Sequence, residues 1–143
     1  MSSAERQYES DWLRWVVNRE YSMELRIVEA IGGVGLAMKS GDVMRLGTGT
    51  KLKCVSASTG ADAVAILAQP LSAAETIADK TGVLCLVGAG KGLAGGCYGG
   101  GAVVNGDQLQ FSVSATQAAA AKAALLALGI VVLAEATSVK QTT

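Results

Sequence analysis

Short stretches of alternating or purely apolar residues make up most of the chain after residue 21. The clearest alternation is in the segment 22–29, where apolar and charged side chains interleave: Met23, Glu24, Leu25, Arg26 and Ile27. A period of two puts successive side chains on opposite faces, so it predicts a half-buried strand with the apolar side toward the core. Further short runs, separated by Gly, Pro and Asp, predict more strands with tight connections: 43–46, 51–55, 63–68, 83–87 and 108–113.

The pattern becomes helical near the C-terminus, where residues 118–128 are all Ala, Leu or Lys. Ser114 and Gln117 have capping-box spacing, and Gly129 stands where a left-handed C-terminal cap belongs. One helix face is predicted to lie on the sheet: Ala121, Ala124, Leu125 and Leu128. Residues 130–133 predict a buried strand. The fold class is therefore α+β, a small β-rich domain with one Ala-rich C-terminal helix.

Residues 1–21 differ from the rest because they hold four of the six aromatic residues and many charges: Tyr8, Trp12, Trp15 and Tyr21. The spacing of the first three fits a helix, and an extended segment is the competing interpretation. The segment either folds back to bury its own Trp residues or forms an arm that binds a partner. Trp, Tyr and Arg dominate interface energetics, which favours the arm. We expect an arm over 1–21, a domain over 22–136 and a flexible tail over 137–143.

Composition argues against several classes of function. The chain of 143 residues has equal numbers of acidic and basic residues and no His. The zero net charge provides no basic field for nucleic acid, and the lack of His excludes His-dependent nucleophilic and metal sites. The longest uncharged apolar run, 123–134, is too short to span a bilayer. We expect no enzyme activity, cofactor, metal, nucleic-acid partner or membrane partner.

The three cysteines do not form a CxxC pair, so neither a disulfide framework nor a zinc site is predicted. Cys54 and Cys85 lie in apolar runs and are interpreted as small core residues. Cys97 lies in the Gly-rich segment 88–101, where we expect an exposed thiol. The N-terminus has no apolar stretch typical of a secretory signal.

Two features leave an enzymatic alternative open. Gly90-Lys91-Gly92-Leu93-Ala94-Gly95 has the G-x-G-x-x-G spacing of a dinucleotide-binding turn and follows the predicted strand 83–87. The glycines after it oppose the helix that such a site requires, so a loop is the stronger interpretation. Several carboxylates lie in predicted turns or loops, where ordinary turn chemistry is the simpler explanation: Asp42, Asp62, Glu75, Asp79 and Asp107.

Five stretches of the chain form a recognisable set: Asp11-Trp12-Leu13-Arg14-Trp15, Tyr21-Ser22-Met23-Glu24, Ser40-Gly41-Asp42-Val43-Met44, Ala102-Val103-Val104-Asn105-Gly106-Asp107-Gln108-Leu109, and Ala127-Leu128-Gly129-Ile130-Val131-Val132. In these stretches the sequence resembles the lambda-type family of bacteriophage head decoration proteins. The resemblance touches most of the chain and is most specific over 103–132. The Gly-rich segment 88–101 departs from the family, which crosses this point with a short turn, so family contacts at that edge are not carried over.

The resemblance implies a structural protein rather than an enzyme, and a trimeric domain of another virion part, such as a tail or fibre, is the structural alternative. Members of the family form compact trimers on the outside of the mature phage head, at three-fold and quasi-three-fold sites, and stabilise the capsid against the pressure of packaged DNA. The expected partners are the major capsid protein and two further copies of this chain. The expected location is the virion exterior after synthesis in the host cytoplasm. The residues expected to contact the capsid are Tyr8, Trp12, Leu13, Arg14, Trp15, Arg19 and Tyr21.

Overall fold

A computed structural model describes residues 12–16, 23–55, 60–87, 89–90, 97–98, 101–106, 109 and 115–133. It confirms the predicted class, a β-rich α+β fold with a C-terminal helix. The ten strands are β1 Leu13–Val16, β2 Met23–Val28, β3 Val43–Leu46, β4 Leu52–Cys54, β5 Ala63–Leu67, β6 Lys80–Val87, β7 Ala89–Gly90, β8 Cys97–Tyr98, β9 Ala102–Asn105 and β10 Ile130–Leu133. The helix α1 spans Ala115–Ala127, and 3₁₀ turns cover Gly60–Asp62 and Ala74–Thr76.

Five strands close into a small barrel in the order β2-β4-β3-β5-β6. Most neighbours are antiparallel, whereas β2 and β4 run parallel and pair at Val28 and Leu52. The inside is filled by aliphatic and sulfur-containing side chains: Val28, Met38, Met44, Leu52, Ala65, Leu67, Leu71, Val83, Cys85 and Val87. A barrel of only five strands is narrow, and its interior is filled by close packing of these side chains.

A second layer covers one side of the barrel. Strands β1, β9 and β10 form a three-stranded sheet in that order, with β1 antiparallel and β10 parallel to β9. This sheet and helix α1 enclose a second apolar cluster against the barrel wall, which includes Trp12, Ile66, Leu86, Leu125 and Ile130. The parallel pairing of β9 and β10 follows from the intervening helix, since parallel neighbours need a crossover connection.

Helix α1 agrees with the sequence pattern at its core face and at its end. Ala121 and Leu125 are fully buried, and Leu128 is half-buried. Gly129 has φ of 89°, the left-handed conformation expected of a helix cap. The strand 130–133 is present, but Val131 is exposed, so it is not buried on both faces. Of the predicted strand 108–113 only Leu109 is described, and it is a buried residue in a bend. The cap Ser114 and the tail 137–143 lie outside the described residues.

The predicted strand 22–29 is β2, and its orientation is opposite to the prediction. Its partners across the ladder are Cys85 opposite Glu24 and Val83 opposite Arg26. Directly opposite residues share a face, and both partners lie inside the barrel. The charged side of β2 therefore faces inward. The apolar side faces outward, where Met23 is covered by the second layer but Leu25 is exposed.

Candidate interaction surfaces

Strand β1 presents part of the predicted contact segment at the surface. It pairs with β9 through Leu13 opposite Val104 and Trp15 opposite Val103, so its backbone is fixed by the sheet. The indole of Trp15 is 57% exposed and Arg14 is also exposed, while Leu13 is half-buried against the core. Among the described strands β1 stands at the edge of its sheet, the position at which an extended segment of a partner can add a strand.

Trp12 has the opposite environment. Its side chain is fully buried in the cluster between the barrel and the second layer. Its Nε1–H donates a hydrogen bond of 2.9 Å to Oγ of Ser40, in the turn before β3. Trp12 is therefore part of this chain's own core, as the alternative in which the segment buries its own Trp residues predicts, and it is not exposed for the capsid contact expected of it. Tyr8, Arg19 and Tyr21 lie outside the described residues.

The outward face of β2 forms a second apolar surface. Leu25 is 68% exposed, and Ile27 lies farther along the same exposed side of the strand. On the inward side, Nη1 of Arg26 lies 3.2 Å from Oε1 of Glu24, and both side chains are largely shielded from solvent. Pairing of the two charges limits the cost of turning them inward. Two aliphatic side chains are left facing water.

The described pairs of the Gly-rich segment, Ala89–Gly90 and Cys97–Tyr98, are strands, whereas a dinucleotide site requires a helix after its first turn. Ala89 pairs with Tyr98 and Gly90 pairs with Cys97, so β7 and β8 form an antiparallel hairpin. A dinucleotide-binding turn instead leads from a strand into a helix whose N-terminus faces the pyrophosphate. The chain has returned to a strand by Cys97, directly after the motif, which leaves no place for that helix. The side chain of Cys97 lies outside the described part of the structure, so its exposure stays a prediction.

Asp42 is the carboxylate with the most unusual surroundings. Its Oδ2 accepts the backbone N–H of Lys39 at 3.1 Å and lies 3.8 Å from Sγ of Cys54. Burial raises the pKa of Asp42 to about 6, against the lowering effect of the Lys39 hydrogen bond. Burial, with the negative charge of Asp42, also raises the pKa of Cys54 to about 12. Cys54 is thus a neutral thiol at physiological pH, without the thiolate character of a reactive cysteine.

The other described carboxylates of the barrel rim are engaged in local contacts. Oδ2 of Asp79 lies 2.5 Å from Nζ of Lys51, which holds the pKa of Asp79 below its usual value. Glu75 accepts the backbone N–H of Ser72, which lowers the pKa of Glu75. These contacts fix the turns around the barrel, and they do not juxtapose two carboxylates as an acid/base pair would require. Asp62 is exposed in its 3₁₀ turn, and Asp107 is outside the described residues.

Cys85, predicted to be a core residue, is fully buried inside the barrel, where burial raises its pKa to about 12. Cys54 is only half-buried. Among the described residues, no group of three or more Cys, Asp or Glu side chains is placed to hold a metal ion. Helix α1 is too short to cross a membrane, and the described part of the chain has no other helix that qualifies.

Neither models of known protein families, nor characterised proteins, nor solved structures give a match to this chain.

Proposed function

We propose that this protein is a structural decoration protein that binds the outside of a mature phage head as a homotrimer and stabilises the shell. The sequence resemblance suggests the role, and the exposed indole of Trp15 on β1 is the single observation that carries it forward. A large aromatic side chain on a rigid edge strand is the kind of anchor that gives an interface most of its affinity. Because the sheet already orders the backbone of β1, binding does not have to order that backbone, which lowers the entropic cost.

Contact with the major capsid protein is assigned to β1 and the residues that flank it. Leu13, Arg14 and Trp15 lie on this strand, and Tyr8, Arg19 and Tyr21 remain candidates on either side of it. Trp12 lies in the core next to this strand, where its indole is held by the hydrogen bond to Ser40. In this arrangement Trp12 positions the strand and Trp15 makes the contact.

Self-association is assigned to the outward face of β2. Leu25 and Ile27 would be covered by the neighbouring subunit, which removes aliphatic surface from water. A trimer presents three β1 strands to a three-fold site at once, so modest single contacts combine into tight binding. The outward apolar face of β2 and the exposed Trp15 therefore have complementary roles in one assembly.

Co-sedimentation with expanded, undecorated phage heads tests the proposal. Wild-type protein should sediment with the heads, and Trp15→Ser should bind at least about thirty-fold more weakly, the loss typical of an interface anchor. Leu126→Ser is the matched control because Leu126 is also 57% exposed but lies on helix α1; it should bind like wild type. Wild-type protein that ignores heads, or labels tails instead, would overturn the head assignment. Equal binding by the Trp15 variant would move the contact away from β1.

A further inference from the structure

A cavity of about 510 Å³ lies between the segment 29–39, Asp42 and strand β4. Its size falls within the range of sites that bind small molecules or buried side chains. Its walls combine the apolar side chains Ile31, Leu36 and Met38 with two acidic residues, Glu29 and Asp42, and two basic residues, Lys39 and Lys53. The surfaces assigned above to shell binding and self-association do not use it.

The loop that forms one wall is held firmly in place. Ile31 N–H donates to the carbonyl oxygen of Thr76 at 2.8 Å, and Leu36 N–H donates to Oγ1 of Thr76 at 2.7 Å. Gly35 has φ of 77°, and a Cβ at this position would collide with the carbonyl of Ala73. The loop therefore packs directly on the 3₁₀ turn Ala74–Thr76, so the cavity is formed before any ligand arrives.

One oxygen of the Asp42 carboxylate carries both of its described contacts. Both contacts described for its carboxylate, from Lys39 N–H and from Cys54 Sγ, fall on Oδ2. Within the described residues, Oδ1 receives no hydrogen bond and the carboxylate forms no ion pair. The positive charge of Lys39 is nevertheless close enough to act against the rise in the pKa of Asp42. Glu29 differs, because it accepts Thr48 N–H at 2.5 Å and lies 3.5 Å from Nζ of Lys53.

The rim of the cavity is apolar and extends beyond it. Leu36 is 63% exposed and Val34 is 88% exposed, and Ile31 and Ile77 are also exposed on the same pair of packed segments. A free amine inside the cavity would leave most of this rim in water. A protein segment with aliphatic residues beside the inserted side chain would cover it.

We infer that this cavity receives a lysine side chain from a partner protein, with its ammonium group on Oδ1 of Asp42 and its aliphatic stem along Ile31, Leu36 and Met38. A single free oxygen suits an ammonium, which binds as a point charge, better than a guanidinium, which prefers to bridge both oxygens. The neighbouring residues of the partner lie on the Val34 and Ile77 rim. The inference stands whether or not the partner is a capsid protein.

The test is a titration of ¹⁵N-labelled full-length protein with the peptide acetyl-Leu-Lys-Leu-amide, followed by amide chemical shifts. Saturable shifts are expected at Ile31, Met38 and Asp42. The same peptide with norleucine in place of Lys should bind about tenfold more weakly, because it lacks the charged hydrogen bond. n-Butylamine should also bind more weakly than the Lys peptide, because it leaves the rim uncovered. Equal binding of the amine would assign the site to free amines and overturn the protein partner.

Two variants complete the experiment. Asp42→Asn should lower the affinity for the Lys peptide about tenfold and leave the affinity for the norleucine peptide unchanged, whereas Asp62→Asn, an exposed carboxylate elsewhere, should change neither. Leu36→Ser keeps the carboxylate and should weaken both peptides, which tests the rim even if Asp42→Asn fails to fold. Unchanged Lys-peptide binding in the Asp42 or Leu36 variant, or shifts that map outside the cavity, would overturn the inference.

Discussion

Trp12 and Trp15 are close in sequence, yet one is fully buried and the other is 57% exposed. The difference arises because Trp12 enters the cluster between the two layers, whereas Trp15 points outward from the edge strand β1. The position of a Trp residue in this segment therefore decides whether its side chain packs in the core or lies at the surface, where a partner can contact it. The two residues give a direct comparison at the scale of single side chains.

We expect Trp12→Ala to lower the free energy of unfolding by about 3–5 kcal/mol, because it empties a buried site. It also removes the donor to Ser40. Trp15→Ala should change stability by less than about 0.5–1 kcal/mol, since the indole is mostly in water. Urea unfolding followed by circular dichroism measures both. Similar midpoints for the two variants would show that Trp12 does not occupy the core.

Asp42 gives a pH dependence of opposite sign to that of most carboxylates. Its pKa is raised from 3.8 to about 6 in the folded protein, so the folded state holds the proton more tightly than the unfolded state. Its contribution to stability is therefore present at low pH and is lost as the pH rises from about 4 to 6. At about 1.4 kcal/mol per pH unit, the loss is roughly 1–3 kcal/mol.

Unfolding free energies of wild type and Asp42→Asn between pH 4 and 7 isolate this effect. The difference between the two proteins should move in favour of the variant as the pH rises. Glu29, Glu75 and Asp79 have lowered pKa values and act in the opposite direction, but they are common to both proteins and cancel in the difference. A difference that is flat across this range would contradict the buried environment of Asp42.

At the scale of elements, two adjacent Leu residues of helix α1 allow the effect of burial on stability to be measured apart from the effect of helix propensity. Leu125 is fully buried, and its neighbour Leu126 is 57% exposed on the same helix. Leu125→Ala should cost about 2–5 kcal/mol of unfolding free energy through the lost packing. Leu126→Ala should cost less than about 1 kcal/mol, because both residues are good helix formers. Thermal and urea unfolding of the pair measures the difference, and equal losses would mean that the helix is rotated from its observed orientation.

At the scale of the whole molecule, the exposed aliphatic face of β2 should govern self-association. Leu25→Glu places a charge where the proposed neighbouring subunit packs, so we expect the trimer to dissociate at concentrations at which wild type is assembled. The folded monomer should persist, because Leu25 is 68% exposed. Val34→Glu is the control, since Val34 is 88% exposed but lies on the loop beside the cavity.

Sedimentation-velocity ultracentrifugation over a concentration series distinguishes the proteins. Wild type and Val34→Glu should show the same trimer, and Leu25→Glu should sediment as a monomer. A wild-type trimer that survives Leu25→Glu unchanged would place the subunit interface elsewhere. A monomeric wild type would contradict trimer formation in solution and would restrict the trimer to the capsid surface.

The sequence by itself determined the elements whose identity depends on local rules. The five β2–β6 strands lie within or close to the predicted segments, because short apolar runs bounded by Gly, Pro and Asp have few other solutions. Helix α1 and its Gly129 cap follow from helix propensity and from the left-handed conformation that glycine adopts without strain. Alternation in β2 gave the correct period of two, since that period is a property of the extended backbone.

Only the tertiary structure decided which face of β2 points inward, because alternation fixes two faces but not which of them is covered. The inward placement of Glu24 and Arg26 depends on β6 lying opposite and on the pairing of the two charges. The burial of Trp12 likewise depends on Ser40, which is 28 residues away in sequence. The cavity at Asp42 brings together the segment 29–39, Asp42 and strand β4. Such long-range packing has no signature in any single segment of the chain, so it emerges only when the layers come together.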